Sequence, residues 1–139
     1  LYIAGLLHDI GKIGIPESIL CKKDKLTDEE YAIMKSHTTR GAEILSPLTE
    51  FEQCVDGVKY HHERYDGKGY PEGLKGEAIP MVAAIIGVAD TFDAITTDRS
   101  YRKGLGKEIA IAEIRNSIGK QFNPLPAKAL IELFEKGEV

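Results

Sequence analysis

The pattern of apolar and polar positions along the chain predicts helices and no sustained strand. In most segments the apolar side chains recur at three- and four-residue spacings, which is the period of an amphipathic helix. The predicted helices cover residues 1–10, 17–21, 28–35, 39–45, 48–62, 80–97, 107–118 and 124–136. We expect Gly11 to stop the first helix, and the capping-box spacing of Thr27 and Glu30 predicts where the third begins. The predicted fold class is therefore all-α.

Two predicted loops separate the longer helices. Residues 64–80 contain four glycines and two prolines, which is typical of a structured loop rather than a regular element. Residues 98–106 form the second loop. The sequence contains no internal repeat, low-complexity tract or linker. We therefore predict a single domain over residues 1–139.

Composition and charge narrow the classes of function. The 139 residues are 42% hydrophobic and 29% charged, which is ordinary for a globular domain. A net charge of −4 without long runs of one sign argues against binding of DNA or RNA polymers, although a small anionic substrate is still compatible with it. The longest apolar run, residues 81–89, is too short to cross a membrane. Cys21 and Cys54 fit reduced thiols, so we expect a cytoplasmic domain without membrane contact.

All four histidines occupy positions where a metal ligand is plausible. His8 is followed by Asp9, His61 is followed by His62, and His37 lies between these two pairs. Imidazole and carboxylate groups together form the usual nitrogen and oxygen site for a first-row transition metal. Alone, each histidine could equally be a core or helix-capping residue. Together they indicate a metal site.

Asp90 lies within a strongly apolar predicted helix. The helix face predicted for it holds Val82, Ile86, Ala89 and Asp93. An unpaired carboxylate on a buried face costs several kcal/mol, so Asp90 is expected to have a cation as its partner. The alternative is a carboxylate that faces solvent or pairs with Arg99. Beside two histidine pairs, the metal hypothesis is favoured.

The two pairs can both reach a site at a helix end. Neighbouring residues on a helix point about 100° apart, so His8 and Asp9 cannot both be inert fillers of one core. With its two oxygens, Asp9 could bridge two metal ions. After His61 and His62, Glu63 could fix the tautomer of an imidazole, or it could simply cap the helix.

Four further residues have two interpretations each. Lys12 is either a solvated lysine or a cation near a substrate phosphate. Arg99 and Arg102 are either loop surface charge or a bidentate clamp on phosphate oxygens. Tyr70 either fills the loop or offers a face to a nucleobase.

The motifs resemble those of a known family. HDIGK, SHTTRGAEIL, HHERYDGKGYP and ADTFDAITTDRSYR, in this order, are similar to the HD-GYP domain of bacterial signalling proteins, within the HD phosphohydrolase superfamily. The resemblance covers the chain from Leu1 to about Pro124. An adjacent His and Asp mark only the broad superfamily, whereas the motif HHERYDGKGYP is highly specific for the HD-GYP domain.

The resemblance implies a helical bundle of the HD type in which residues 64–80 form a structured loop, the GYP loop. It also implies a phosphodiesterase that converts cyclic di-GMP to pGpG and in many members to GMP. It implies two or three divalent metal ions, with iron or manganese favoured, and it suggests diguanylate cyclase (GGDEF) domains as partners besides cyclic di-GMP. The metal ligands implied are His8, Asp9, His37, His61, His62 and Asp90. Catalytic roles fall to Asp9 and Lys12, and substrate contacts to Lys12, Tyr70, Arg99 and Arg102. Glu63 and Asp93 would orient ligands.

Two alternatives stay open at this point. One is an HD phosphohydrolase acting on another nucleotide, such as a cyclic GMP-AMP dinucleotide. The other is a signalling module that binds the dinucleotide, or a diguanylate cyclase domain, through the GYP loop without turnover. Family members carry a further histidine on a helix upstream of the His-Asp pair. Because the sequence opens on Leu1 in mid-helix, we expect a fragment that lacks this helix and is weakly active or inactive.

Overall fold

Eight α-helices make up the described part of the chain, which in this computed structural model comprises residues 1–98 and 103–139. They are α1 (Tyr2–Leu7), α2 (Glu17–Leu20), α3 (Asp28–Lys35), α4 (His37–Leu45), α5 (Glu52–Tyr60), α6 (Met81–Thr96), α7 (Lys107–Asn116) and α8 (Pro124–Glu135). Short 3₁₀ helices span Ile10–Gly14, Thr49–Phe51 and Gly76–Ala78. These two ranges contain no β-strand, so the all-α prediction is confirmed. None of their helices combines the length and hydrophobicity needed to cross a bilayer.

Helix α3 begins at the predicted capping box. The side-chain oxygen of Thr27 accepts a hydrogen bond from the backbone N–H of Glu30 at 3.2 Å, and the backbone N–H of Thr27 donates to Oε2 of Glu30 at 2.9 Å. Two backbone donors that have no partner within the helix are thereby satisfied. Lys22 also donates to Oε2 of Glu30, at 2.6 Å, and so ties the preceding turn to this helix start.

The first helix is shorter than predicted, and Gly11 does not stop it. Helix α1 ends at Leu7, and Gly11 lies inside the 3₁₀ helix that follows. This segment packs against the start of α4, where a Cβ on Gly11 would collide with the carbonyl oxygen of His37 and with the backbone nitrogen of Gly41. The glycine is therefore required for a close backbone approach. That approach brings Asp9 next to His37, which begins α4 two residues earlier than expected.

Two apolar clusters hold the helices together. One joins α1, α4, α5 and α6 through Ala4, Leu45, Cys54, Val58 and Ile86. The other joins α6, α7 and α8 through Val88, Ile111, Ile114, Phe122, Ala127 and Ile131. Burying each large aliphatic side chain contributes about 1.5–3 kcal/mol. Helix α6 supplies side chains to both clusters and therefore connects the two halves of the bundle.

The buried face predicted around Asp90 is only partly correct. Ile86 is buried, whereas Ala89 and Asp93 are exposed. At about 100° per residue, Asp90 and Ala89 lie on opposite sides of the Ile86 direction. The Asp90 side faces His8 at the end of α1, while Ala89 faces the groove between α6 and α8.

Candidate metal centre and adjoining pocket

Four polar side chains from separate segments meet at one point. Asp9, His37, His61 and His62 each offer one ligand atom, and these atoms all lie within 4.8 Å of one another. Asp9 follows α1, His37 begins α4, and the two adjacent histidines follow α5. His37 and His61 are buried, so the cluster lies inside the bundle. We call these four residues the histidine cluster.

Three histidines are oriented by the same local contact. In each, the Nδ1 atom lies within hydrogen-bonding distance of the carbonyl oxygen three residues earlier in the chain. The pairs are His8 with Gly5 at 2.6 Å, His37 with Met34 at 2.7 Å, and His61 with Val58 at 2.8 Å. Since a carbonyl oxygen can only accept, each Nδ1 carries a proton and donates. In His37 and His61, whose rings are neutral, Nε2 therefore presents a lone pair, the arrangement in which imidazole binds a metal ion.

Asp9 lies between two groups of side chains. Its Oδ1 atom is 3.3 Å from Nε2 of His37 and 4.0 Å from Nε2 of His61. Its Oδ2 atom is 3.4 Å from Nε2 of His8 and also accepts a hydrogen bond from the ammonium group of Lys12. The two carboxylate oxygens therefore face different sets of ligand atoms.

His8 bridges Asp9 and Asp90. Its Nε2 atom is 3.5 Å from Oδ1 of Asp90, and the carboxylates of Asp9 and Asp90 together raise the pKa of His8 to about 10. Burial acts to raise the pKa of both carboxyl groups. Neighbouring cations lower it by more in total, His8 and Lys12 at Asp9 and His8 and His62 at Asp90, so both pKa values lie below the ordinary range. Both carboxylates are therefore ionised, and protonated His8 is the cation between them. A metal ion that binds Nε2 of His8 would displace this proton.

The other histidines are held neutral. Burial lowers the pKa of His37, that of His61 to about 3, and that of His62 to about 4. A proton on one of these adjacent rings would repel a proton on the next, which lowers the pKa of His61 and His62 further. Neutral imidazole is the form that ligates a metal ion.

Several ligand atoms of this centre have no hydrogen-bond partner among the described residues. They are the buried Nε2 atoms of His8, His37 and His61 and the Oδ1 atom of Asp9. Each buried polar atom without a partner costs about 1–3 kcal/mol of stability. These four atoms nevertheless lie close together and point toward one small region. A divalent cation would satisfy them, and imidazole nitrogen with carboxylate oxygen suits first-row metals. The residues present therefore fit a metal ion.

A pocket of about 500 Å³ adjoins the histidine cluster. His62 and Asp90 line the end near the cluster, and Gln121 and Asn123 line the far wall. This volume is typical of sites that bind small molecules. Tyr70 also lines the pocket and stacks on His62, with ring centroids 4.9 Å apart and planes 27° apart.

The two residues expected to orient ligands, Glu63 and Asp93, take different positions, and Glu63 lines the pocket beside His62. Glu63 is buried, but its Oε1 atom accepts hydrogen bonds from the backbone N–H groups of Glu72 and Gly73 at 2.7 and 3.0 Å. It thus holds the GYP loop, while backbone carbonyls fix the rings of the three histidines described above. Asp93 is exposed and accepts a hydrogen bond from Thr97 at 2.9 Å, so the structure does not bring it to the cluster. Arg99 and Arg102 lie outside the described residues.

The far wall of the pocket was not identified from the sequence. It depends on backbone hydrogen bonds between the GYP loop and the segment before α8, from Tyr65 to Gln121 at 3.1 Å and from Asp66 to Lys120 at 2.7 Å. Such pairing between distant segments leaves no local pattern. Tyr31, which also lines the pocket, was missed as well, although its place on the helix preceding His37 was a usable signal.

Comparison with known proteins agrees with this geometry. A family model described as HD domain matches residues 1–124. The chain is 45% identical over 131 residues to a cyclic di-GMP phosphodiesterase response regulator, RpfG, of Xanthomonas campestris, covering 93% of the chain and 35% of that protein. It is 44% identical to a cyclic di-GMP phosphodiesterase of Thermotoga maritima, covering 96% of the chain and 37% of that protein. The chain thus spans little more than a third of these relatives.

Other relatives differ in their named substrate. A 3'3'-cGAMP-specific phosphodiesterase 2 of Vibrio cholerae is 38% identical, over 96% of the chain and 26% of that protein. Among solved structures, a cyclic GMP-AMP specific phosphodiesterase of V. cholerae matches with a TM-score of 0.71 at 24% identity, over 96% of the chain and 37% of its own. An HDGYP protein of Bdellovibrio bacteriovorus matches with a TM-score of 0.69 at 23% identity, covering 95% of the chain and 42% of that protein. At these identities the two structures support the fold alone.

Proposed function

Since the chain belongs to the HD-domain family, we propose that it is the catalytic domain of a metal-dependent phosphodiesterase that hydrolyses cyclic di-GMP to pGpG and onward to GMP. The observation that carries this proposal is the convergence of buried ligand atoms of Asp9, His37 and His61 beside a pocket of about 500 Å³, atoms that have no hydrogen-bond partner within residues 1–98 and 103–139. The relatives named as cyclic di-GMP phosphodiesterases support the substrate. We further propose that residues 1–139 form a single HD-GYP domain and that it acts in the cytoplasm.

Two overlapping sets of residues would hold the metal ions. The first is the histidine cluster of Asp9, His37, His61 and His62. The second consists of His8 and Asp90 together with Asp9, which the two sets share. We propose two or three ions, with iron or manganese preferred for this donor set. When bound, such ions supply a nucleophilic water at neutral pH and neutralise charge on a phosphodiester.

The chain's own groups then position the substrate. We propose that the ammonium group of Lys12, which donates to Asp9, stabilises negative charge that develops on phosphoryl oxygens. Tyr70 forms the pocket wall beside His62 and limits how a nucleotide can enter. From the motif resemblance, Arg99 and Arg102 are proposed to clamp a phosphate. Binding of a diguanylate cyclase (GGDEF) domain through the GYP loop is likewise a prediction.

The test is an assay of the purified protein loaded with Mn²⁺ or Fe²⁺ under anaerobic conditions. We expect pGpG and then GMP to form from cyclic di-GMP. The variant Asp9→Asn, which weakens both ligand sets, should lose at least about 10²-fold in kcat/KM. Metal-loaded protein that binds cyclic di-GMP without hydrolysing it would overturn the enzyme proposal and favour a binding module.

A second candidate substrate is 3'3'-cGAMP, because a relative 38% identical to the chain is named for it. The same metal centre would serve either dinucleotide, so only the base contacts discriminate. The ratio of kcat/KM for the two substrates, measured in one mixture, decides between them. We expect cyclic di-GMP to be preferred.

A further inference from the structure

Tyr31 and Tyr70 line the pocket, and the ammonium group of Lys35 lies over both of their rings. We call these three residues the rim cluster. The rings of Tyr31 and Tyr70 meet edge to face, with centroids 6.5 Å apart. The Nζ atom of Lys35 lies 4.9 Å from the centroid of the Tyr31 ring and 5.8 Å from that of Tyr70. At these distances a cation is attracted by the ring faces.

The two tyrosines differ in what they can offer to a ligand. Tyr70 is partly buried, and it already stacks on His62 at 4.9 Å. Tyr31 lines the same pocket, but 49% of its surface is exposed. An exposed aromatic ring at a pocket rim can stack on an incoming flat group, whereas Tyr70 serves as a wall. The face available to a nucleobase is therefore the side of the Tyr31 ring that Lys35 does not cover.

Lys35 is the charged member of the rim cluster. Lys12, Lys22 and Lys59 each form an ion pair, with Asp9, Glu30 and Glu72. In contrast, no carboxylate of residues 1–98 or 103–139 lies within ion-pair distance of Lys35. Within these ranges its ammonium group lies over the faces of two aromatic rings and is not neutralised by a carboxylate, so its charge remains available to an anion.

The position of the rim cluster relative to the metal centre is fixed by the backbone. Lys35 ends α3, and His37 begins α4 two residues later. His37 is also within ring contact of Tyr70, with centroids 6.5 Å apart. A ligand with one phosphate at the histidine cluster can therefore place a neighbouring part of the same molecule at the rim.

We propose that Tyr31 and Lys35 form a nucleotide subsite, in which the Tyr31 ring stacks on a nucleobase and the Lys35 ammonium neutralises a phosphate that is not being cleaved. The inference rests on the proposed function and deepens it, because it names residues that select a dinucleotide over a simple phosphodiester. Both contacts lie away from the reacting bond and are made equally in the ground state and the transition state. They therefore lower KM and leave kcat nearly unchanged.

The experiment compares variants on two substrates, cyclic di-GMP and bis(p-nitrophenyl) phosphate, with Mn²⁺-loaded protein. Tyr31→Ala should raise KM for cyclic di-GMP about ten-fold, whereas Tyr31→Phe, which keeps the ring, should stay within about two-fold of wild type. Lys35→Met should raise KM about five-fold and weaken the dependence of KM on salt. The kcat values, bound metal and activity on bis(p-nitrophenyl) phosphate should change little. Ile33→Ala, a truncation of a partly exposed side chain on the same helix, is the matched control.

The outcomes separate the two proposals. A wild-type protein that hydrolyses cyclic di-GMP while Tyr31→Ala retains the wild-type KM overturns the subsite alone. A metal-loaded wild type that hydrolyses bis(p-nitrophenyl) phosphate but neither binds nor hydrolyses cyclic di-GMP overturns the proposed substrate and the subsite with it. If the wild type binds without turnover, calorimetric Kd values for the same variants replace KM. Should Tyr31→Ala misfold, Tyr31→Leu removes the aromatic face while keeping side-chain volume.

Discussion

The Nε2 atom of His37 and the Oδ1 atom of Asp9 face each other at 3.3 Å, and within the described part of the chain neither has a hydrogen-bond partner. The Nδ1 atom of His37 donates to Met34, and burial keeps the ring neutral by lowering its pKa. Two buried lone pairs thus point toward each other without a proton between them. A cation relieves this repulsion, and for that reason the contact supports a metal site more strongly than the number of histidines does.

Removing one ligand of this site should lower the bound metal. His61→Ala deletes a buried Nε2 atom of the histidine cluster, and Asp90→Ala deletes the carboxylate beside His8. We expect each variant to bind less Mn²⁺ or Fe²⁺ than wild type, by at least one equivalent for the first, as measured by mass spectrometry of the desalted protein. Cys21→Ser, which changes an exposed thiol, controls for adventitious binding. Unchanged stoichiometry in His61→Ala would remove this residue from the ligand set.

Metal binding should also stabilise the fold. A ligand that binds only the folded state adds about 2.7 kcal/mol when its free concentration is 100 times its Kd. Chelation should therefore lower the unfolding temperature of the wild-type protein. Asp9→Asn should lose most of this difference, because Asp9 faces both ligand sets. A metal-dependent shift of equal size in Asp9→Asn would contradict the central position of Asp9.

Local features of the fold could be predicted from the sequence, and features that depend on packing could not. The capping box of Thr27 and Glu30 involves residues three apart, so its hydrogen bonds follow from sequence spacing. Gly11 looked like a helix stop, because a glycine after an apolar run usually is one. Its real role, a close approach to α4, depends on a contact 26 residues away with His37.

The candidate site shows the same division. The HD-GYP motifs named His8, Asp9, His37, His61 and His62, and the structure brings them together. The role of a motif residue such as Glu63 was less predictable, since a buried carboxylate can bind a ring or a backbone N–H group. Which one it binds is decided by the path of a loop, and here the loop turns its N–H groups toward Glu63.

Glu63 should be needed to hold the GYP loop. Glu63→Ala leaves the N–H groups of Glu72 and Gly73 without their acceptor, so we expect a loss of about 1–3 kcal/mol in the free energy of unfolding. Hydrogen exchange at these two amides should become faster. Glu77→Ala, which removes an exposed carboxylate from the same loop, should leave exchange at both amides unchanged. If both amides are as well protected in Glu63→Ala as in the wild type, the conformation of the loop does not depend on Glu63.

Two glycines in the first segment should respond oppositely to alanine. At Gly11 a Cβ would collide with backbone atoms of α4, so Gly11→Ala should lose roughly 3 kcal/mol or more of stability. At Gly5 a Cβ would meet nothing within 4 Å, and Gly5→Ala should gain about 0.5–1 kcal/mol because alanine favours the helix. Chemical unfolding measures both values. Similar effects at the two positions would contradict the close approach of the 3₁₀ segment to α4.

The buried histidines should make the chelated protein less stable in acid. Histidine titrates near 6.5 in the unfolded chain, whereas burial lowers the pKa of His61 to about 3 and that of His62 to about 4 in the folded state. Between the unfolded pKa of 6.5 and the lowered folded values, the unfolded state binds more protons than the folded state. The free energy of unfolding therefore falls as the pH falls from about 6.5 toward 3, and above 6.5 these two histidines no longer change it. His8 acts with the opposite sign, because its pKa is raised to about 10. Its contribution is fully present below 6.5 and is lost only as the pH rises toward 10.

Urea unfolding of the chelated protein between about pH 6 and pH 4.5 isolates the effect of the lowered pKa values. Each proton taken up on unfolding contributes a slope of about 1.4 kcal/mol per pH unit. His61 and His62 together should therefore give roughly twice that slope near pH 5, and His37, whose pKa is also lowered, adds to it. His62→Asn removes one titrating ring and should flatten the dependence by about one proton. A slope that is the same in His62→Asn and in wild type would mean that His62 is protonated in the folded state. In that case it would be a poorer candidate for a metal ligand, since ligation requires the neutral ring.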